Sequence, residues 1–134
     1  MKNYRLQIIS FIGILLLITA ACSFSASTAK IKDAYTARDN NGVPQKTSTF
    51  AQDEIFYCMV VLANAPEDTV VKAVWYAVDV EGSEPNFILS EKEFTGGGEM
   101  TFNLSNDKLW PIGSYKVELY LNGENQKTLD FAVQ

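Results

Sequence analysis

Between Tyr115 and Leu121 apolar and polar residues alternate one for one. Tyr115, Val117, Leu119 and Leu121 fall on one side, Lys116, Glu118 and Tyr120 on the other. A period of two predicts a strand with one buried face. The same rhythm recurs along the chain. Over 54–63 it turns Phe56, Cys58, Val60 and Leu62 inward and leaves Tyr57, Met59 and Val61 outside, a face apolar enough to expect partial cover from a neighbouring segment. Over 70–78 it buries Val71, Ala73, Trp75 and Ala77 and presents Lys72, Val74, Tyr76 and Val78. Met100, Phe102 and Leu104, then Leu129, Phe131 and Val133, mark two further strands. A first strand is expected from Lys30 through Tyr35 and Ala37, and a short edge strand over 46–50, behind Pro44. Phe87, Ile88 and Leu89 read as a weak strand followed by a charged stretch.

The segments between are turn sequences. Asn41-Gly42 and Asn122-Gly123 suit positive φ, Pro66 stops the 64–68 loop, and Gly82 and Pro85 turn the chain after Val80. Gly96-Gly97-Gly98 reads as a flexible hairpin connection; without a following Lys-Ser/Thr helix it is no phosphate loop. Asp39-Asn40-Asn41-Gly42 lacks the alternate acids and closing Glu of a calcium loop. No stretch beyond the first residues has helical periodicity. About seven to eight short strands with turns at this spacing predict an all-β, two-sheet antiparallel sandwich.

Leu109-x-Pro111-x-Gly113-x-Tyr115 resembles the tyrosine corner of fibronectin type III and related immunoglobulin-like domains. The resemblance implies that the Tyr115 hydroxyl turns back to the backbone a few residues upstream. Pro111 and Gly113 suit such a corner, the one fixing φ and the other allowing a tight backbone. Cys58 and Trp75 stand where immunoglobulin domains carry a strand-B Cys and a strand-C Trp. Two residues past Tyr115 stands Val117, where antibodies have their second Cys, so that inter-sheet disulfide is absent. Cys58, Trp75, Tyr115 and Val117 are accordingly the structural anchors.

The N-terminus departs from this pattern. Lys2 and Arg5 precede an uncharged apolar run from Ile8 to Ala21, short for a spanning helix and suited to a secretory signal. It ends Ile18-Thr19-Ala20-Ala21-Cys22, which resembles the lipobox of bacterial lipoproteins, with Thr19 where Leu is usual. The resemblance implies cleavage before Cys22, lipidation of that residue and attachment to a membrane of the bacterial cell envelope. An ordinary signal cut downstream, giving a secreted or periplasmic protein, is the alternative, and an uncleaved anchor a further one. The expected organisation is a lipoprotein-type signal over 1–21, a tether over 22–29 and an immunoglobulin-like domain over 30–134.

Charge and residue types narrow the function. Lys2 and Arg5 are the charged residues before position 22, so of 11 basic and 16 acidic residues 9 and 16 lie beyond it, a net charge of −7. An acidic surface without basic clusters argues against nucleic acid. The chain has no His, which removes Ser-His-Asp and Cys-His catalysis and the commonest metal ligand. Cys58, in an apolar strand, is expected to be buried and inert, although a Cys22–Cys58 disulfide stays open if an ordinary peptidase cuts upstream of Cys22. Acid pairs at Asp53-Glu54, Glu67-Asp68 and Glu91/Glu93 read as solvated surface. The expectation is a non-enzyme with no cofactor and no metal.

Binding remains. Val74, Tyr76 and Tyr120 would share the outer face of one sheet, where outward Tyr residues with an apolar fringe can form a recognition patch, unless they serve only as cross-strand pairs. Trp110 is a second candidate, or else packs over the end of the sandwich. Two functions follow: a lipid-anchored binding or structural module with an envelope protein as partner, or a small secreted regulator such as a proteinase inhibitor presenting one loop.

Overall fold

The computed structural model describes residues 28–134; the apolar run, Cys22 and most of the expected tether lie outside the described residues. Nine strands follow one another among the described residues: β1 (Lys30–Asn40), β2 (Val43–Lys46), β3 (Thr49–Phe50), β4 (Phe56–Ala63), β5 (Val70–Val80), β6 (Phe87–Thr95), β7 (Glu99–Leu104), β8 (Gly113–Leu121) and β9 (Glu124–Val133). They form two sheets, ordered β2-β1-β4-β7 and β3-β9-β8-β5-β6. Pairing is antiparallel except for β3, whose two residues run parallel to the end of β9. This is the two-sheet sandwich that the alternation predicts.

The inward sets close the core. Phe56, Cys58, Val60 and Leu62 of β4 face Val71, Ala73, Trp75 and Ala77 of β5 and Tyr115, Val117, Leu119 and Leu121 of β8, all buried. Phe56 is the hub. Its ring lies 4.5 Å from Trp110, 4.8 Å from Phe131, 4.9 Å from Phe50 and 5.5 Å from Tyr115. Such edge-to-face and offset contacts between large rings add to simple area burial.

The corner forms as its residues imply. Tyr115 Oη donates to the Pro111 carbonyl at 2.6 Å. Gly113, at φ 150°, meets the end of β5 so closely that a Cβ would lie 2.3 Å from the Asp79 carbonyl oxygen, which only glycine tolerates.

Three expectations need correction. The segment expected as one edge strand over 46–50 is split: Thr47 still bonds to Thr36 on β1, while the Ser48 carbonyl already accepts from Ala132 on β9. The chain changes sheets between these residues. The weak strand at 87–89 extends through the charged stretch to Thr95. As an edge strand exposed along most of its length, β6 needs no alternation of apolar residues. Gly96-Gly97-Gly98 is not a hairpin, because β6 and β7 belong to different sheets. The glycines allow a close crossing instead: a Cβ on Gly97 would sit 2.5 Å from the Ala65 carbonyl oxygen.

Two substitutions test this account. Tyr115→Phe leaves the Pro111 carbonyl without its partner and is expected to destabilise by about 1–3 kcal/mol. Trp75→Ala opens a cavity in the core, at a cost of about 3–5 kcal/mol. Chemical denaturation measures both, and an unchanged midpoint for Tyr115→Phe would remove the corner bond as a stabilising element.

Candidate functional site

The outer face of β5 and β8 was the first candidate surface. Register sets Lys72 opposite Tyr120, Val74 opposite Glu118 and Tyr76 opposite Lys116. Each polar residue is engaged by its neighbours. Lys72 Nζ lies 4.8 Å from the Tyr120 ring centroid and Lys116 Nζ 4.7 Å from that of Tyr76. Tyr120 Oη donates to Glu118 Oε2 at 2.6 Å, and Lys116 Nζ meets Glu118 Oε1 at 3.0 Å. The Tyr120 hydrogen bond, with the Lys116 ammonium, holds the Glu118 carboxyl below its ordinary range. The same bond pushes the Tyr120 phenol up to about 12.

Val74 does not belong to an exposed patch: it is only 2% exposed. Its cross-strand partners are Glu118 on β8 and Glu91 on β6, and Lys72 and Tyr76 flank it on the same face of β5. Tyr76 and Tyr120 are both half-buried. The face is a lattice of satisfied cross-strand pairs.

Trp110 is likewise not a surface residue. It is 6% exposed and stacked on Phe56, with Nε1 donating to the Glu54 carbonyl at 2.9 Å. Its backbone exchanges two bonds with Gln52, one from the Trp110 N–H to the Gln52 carbonyl and one from Gln52 Nε2 to the Trp110 carbonyl. Thus the 105–112 connection is tied to the 51–55 loop. The flanking Leu109 and Ile112 are instead exposed, at 64% and 59%.

Beside this strap lies a feature that sequence reasoning did not single out, a cleft of about 590 Å³. Ala77, Leu89, Trp110 and Tyr115 line it, Phe87 stands at its mouth, and Ser83, Glu84 and Asn106 contribute polar groups. It opens on the flank of the sandwich, where β6 and the 105–112 connection approach without pairing. At the other half of β6, Phe94 stacks on Phe102 of β7 at 4.8 Å and closes the same gap. Phe87, at the mouth, is 52% exposed. The only local signal was Phe87-Ile88-Leu89, since the remaining walls come from other strands and loops.

The remaining chemistry is sparse. Cys58 is fully buried, and burial pushes its thiol up to about 12. Among the described residues no three His, Cys, Asp or Glu side chains gather closely enough to hold a metal.

No protein-family model matches this chain, and no curated protein sequence matches it. Solved structures do. An immunoglobulin-like protein from Pseudomonas aeruginosa aligns with a TM-score of 0.56 at 11% identity, over 82% of this chain and 99% of that one. A β-glucosidase from Listeria innocua aligns with a TM-score of 0.50 at 14% identity, over 82% of this chain but 17% of the enzyme. At such identities the likeness is one of fold, and the fold is immunoglobulin-like.

The cross-strand lattice predicts a distinct titration. Glu118→Gln removes the charge that retains the Tyr120 proton, so the Tyr120 phenol is expected to ionise closer to its ordinary value. Ultraviolet titration read against Tyr120→Phe measures this. Burial also pushes the Tyr115 phenol up from its ordinary value near 10 to about 12. Over that interval the unfolded chain releases a proton that the folded chain retains, so stability is expected to fall as pH rises from 10 towards 12. Denaturation midpoints across that interval check the sign. At the acid end Glu118 acts oppositely: its contribution is present above the ordinary carboxylate range and is lost as pH falls through its lowered value.

Proposed function

We propose that this chain is a lipid-anchored protein of the bacterial cell envelope whose immunoglobulin-like domain serves as a non-catalytic binding module. The observation that carries this reading is the apolar run ending in Thr19-Ala20-Ala21-Cys22, a short distance before the first strand. The absence of His from the whole chain and the inert environment of Cys58 support a non-catalytic role.

The topology suits a tethered binder. Lys30, where β1 begins, pairs with Ala63 at one end of the sandwich. The cleft lies towards the other end, beside Pro111 and the start of β8. At about 3.3 Å per residue, a strand the length of β8 separates the two ends by roughly 30 Å. An anchor at the N-terminal end would therefore hold the cleft away from the bilayer. The alternative of an inhibitor presenting a protruding loop is less well served, since the β8–β9 connection is a tight turn at Asn122-Gly123.

Mass spectrometry of the mature N-terminus tests the anchor. A thioether-linked diacylglycerol on an N-terminal Cys22 is the expected result, and Cys22→Ala should release the protein from membranes. Each buried methylene adds about 0.8 kcal/mol, so several acyl chains make attachment effectively irreversible. An unmodified terminus downstream of Cys22 would overturn the anchored reading.

A further inference from the structure

We infer that the free edge of β6, together with the cleft beneath its first half, is a docking site for an extended segment of a partner protein that alternates basic and apolar side chains. The inference rests on reading the domain as a binding module, not on its anchorage.

The first observation is the edge itself. β6 is nine residues long and, among the described residues, ends its sheet and pairs only with β5. On either side of the bulge at Leu89, every second backbone N–H and C=O along it points away from β5, where an added strand would bond. The second observation is the cleft. Phe87 pairs with Ala77, whose side chain is buried, so Phe87 lies on the inner side of the sheet. A strand added to β6 would send alternate side chains to that same inner side, directly over the opening beside Trp110 and Tyr115. Those positions call for apolar residues.

The outer side sets the charge. Glu91 and Glu93 pair with Val74 and Lys72, outward residues of β5, and so stand on the outer face; Glu84 adds a further carboxylate at the cleft. Cross-strand partners for Glu91 and Glu93 should be Lys or Arg. A second copy of the chain fits poorly. An antiparallel β6–β6 pair centred on Lys92 sets Glu91 against Glu93, and one centred on either Glu sets that residue against itself. Like charges directly opposite are destabilising, so these central registers disfavour self-pairing, while a basic strand meets no such repulsion.

The probe is a short capped peptide of alternating lysine and valine, added to the full chain, with amide hydrogen exchange read strand by strand. Exchange across Phe87–Thr95 is expected to slow by about tenfold or more, with the other strands unchanged. A peptide with glutamate in place of lysine should give no protection. Phe87→Ala should weaken the effect severalfold, as should Glu91→Lys combined with Glu93→Lys. All three residues are exposed, and the exchange of β4 and β8 confirms that each variant folds. Protection at another edge, equal protection by the glutamate peptide, or no protection would overturn the inference. So would β6 protection that grows with protein concentration in the absence of peptide, which would make a second copy the occupant. An unlipidated N-terminus with β6 protected would leave this inference standing while removing the anchor.

Discussion

The sandwich depends on how one connection is fastened. Between β7 and β8 the chain must pass from one sheet to the other, and Trp110 serves as the rivet. Its ring enters the aromatic cluster around Phe56, its indole N–H bonds to the Glu54 carbonyl, and its backbone is matched by Gln52. Tyr115 secures the next residue along by its bond to the Pro111 carbonyl. Four hydrogen bonds and one ring thus hold the end where both sheets meet. The cleft exists because this end is rigid: the strap holds Trp110 and Pro111 in place while β6 approaches without pairing to it.

Much of the fold was legible because burial and alternation coincide in β4, β5 and β8. Each of these strands carries four inward apolar residues at spacing two, and the core takes them all. The corner was legible because its geometry requires particular residue types at fixed offsets. β6 was harder to see. A strand solvated along its edge and over most of its length is not obliged to alternate, so Glu91-Lys92-Glu93 read only as a charged stretch. The crossing at Gly96-Gly97-Gly98 was read as flexible when Gly97 answers a steric demand from Ala65.

The candidate surface was less legible, for a different reason. Strand periodicity assigns a side to Val74, Tyr76 and Tyr120 but says nothing about what their neighbours do. On a sheet face crowded with long side chains, a Val can be covered as completely as in the core, and Tyr hydroxyls can be consumed by a local carboxylate. The cleft had no local signature beyond Phe87-Ile88-Leu89. It is assembled from residues far apart in the chain, and only tertiary structure brings them together.

Cys58 carries one more consequence. It lies in β4, an interior strand of its sheet, opposite Phe102 and Thr36. With its thiol pushed up to about 12 by burial, almost none of it is in the reactive thiolate form at neutral pH. Oxidants and disulfides therefore meet an inert sulfur for as long as the two sheets stay together. The sulfur becomes chemically visible only when β4 parts from the opposing sheet. Its modification is then a record of how often the whole sandwich opens, written into the chain at a buried cysteine.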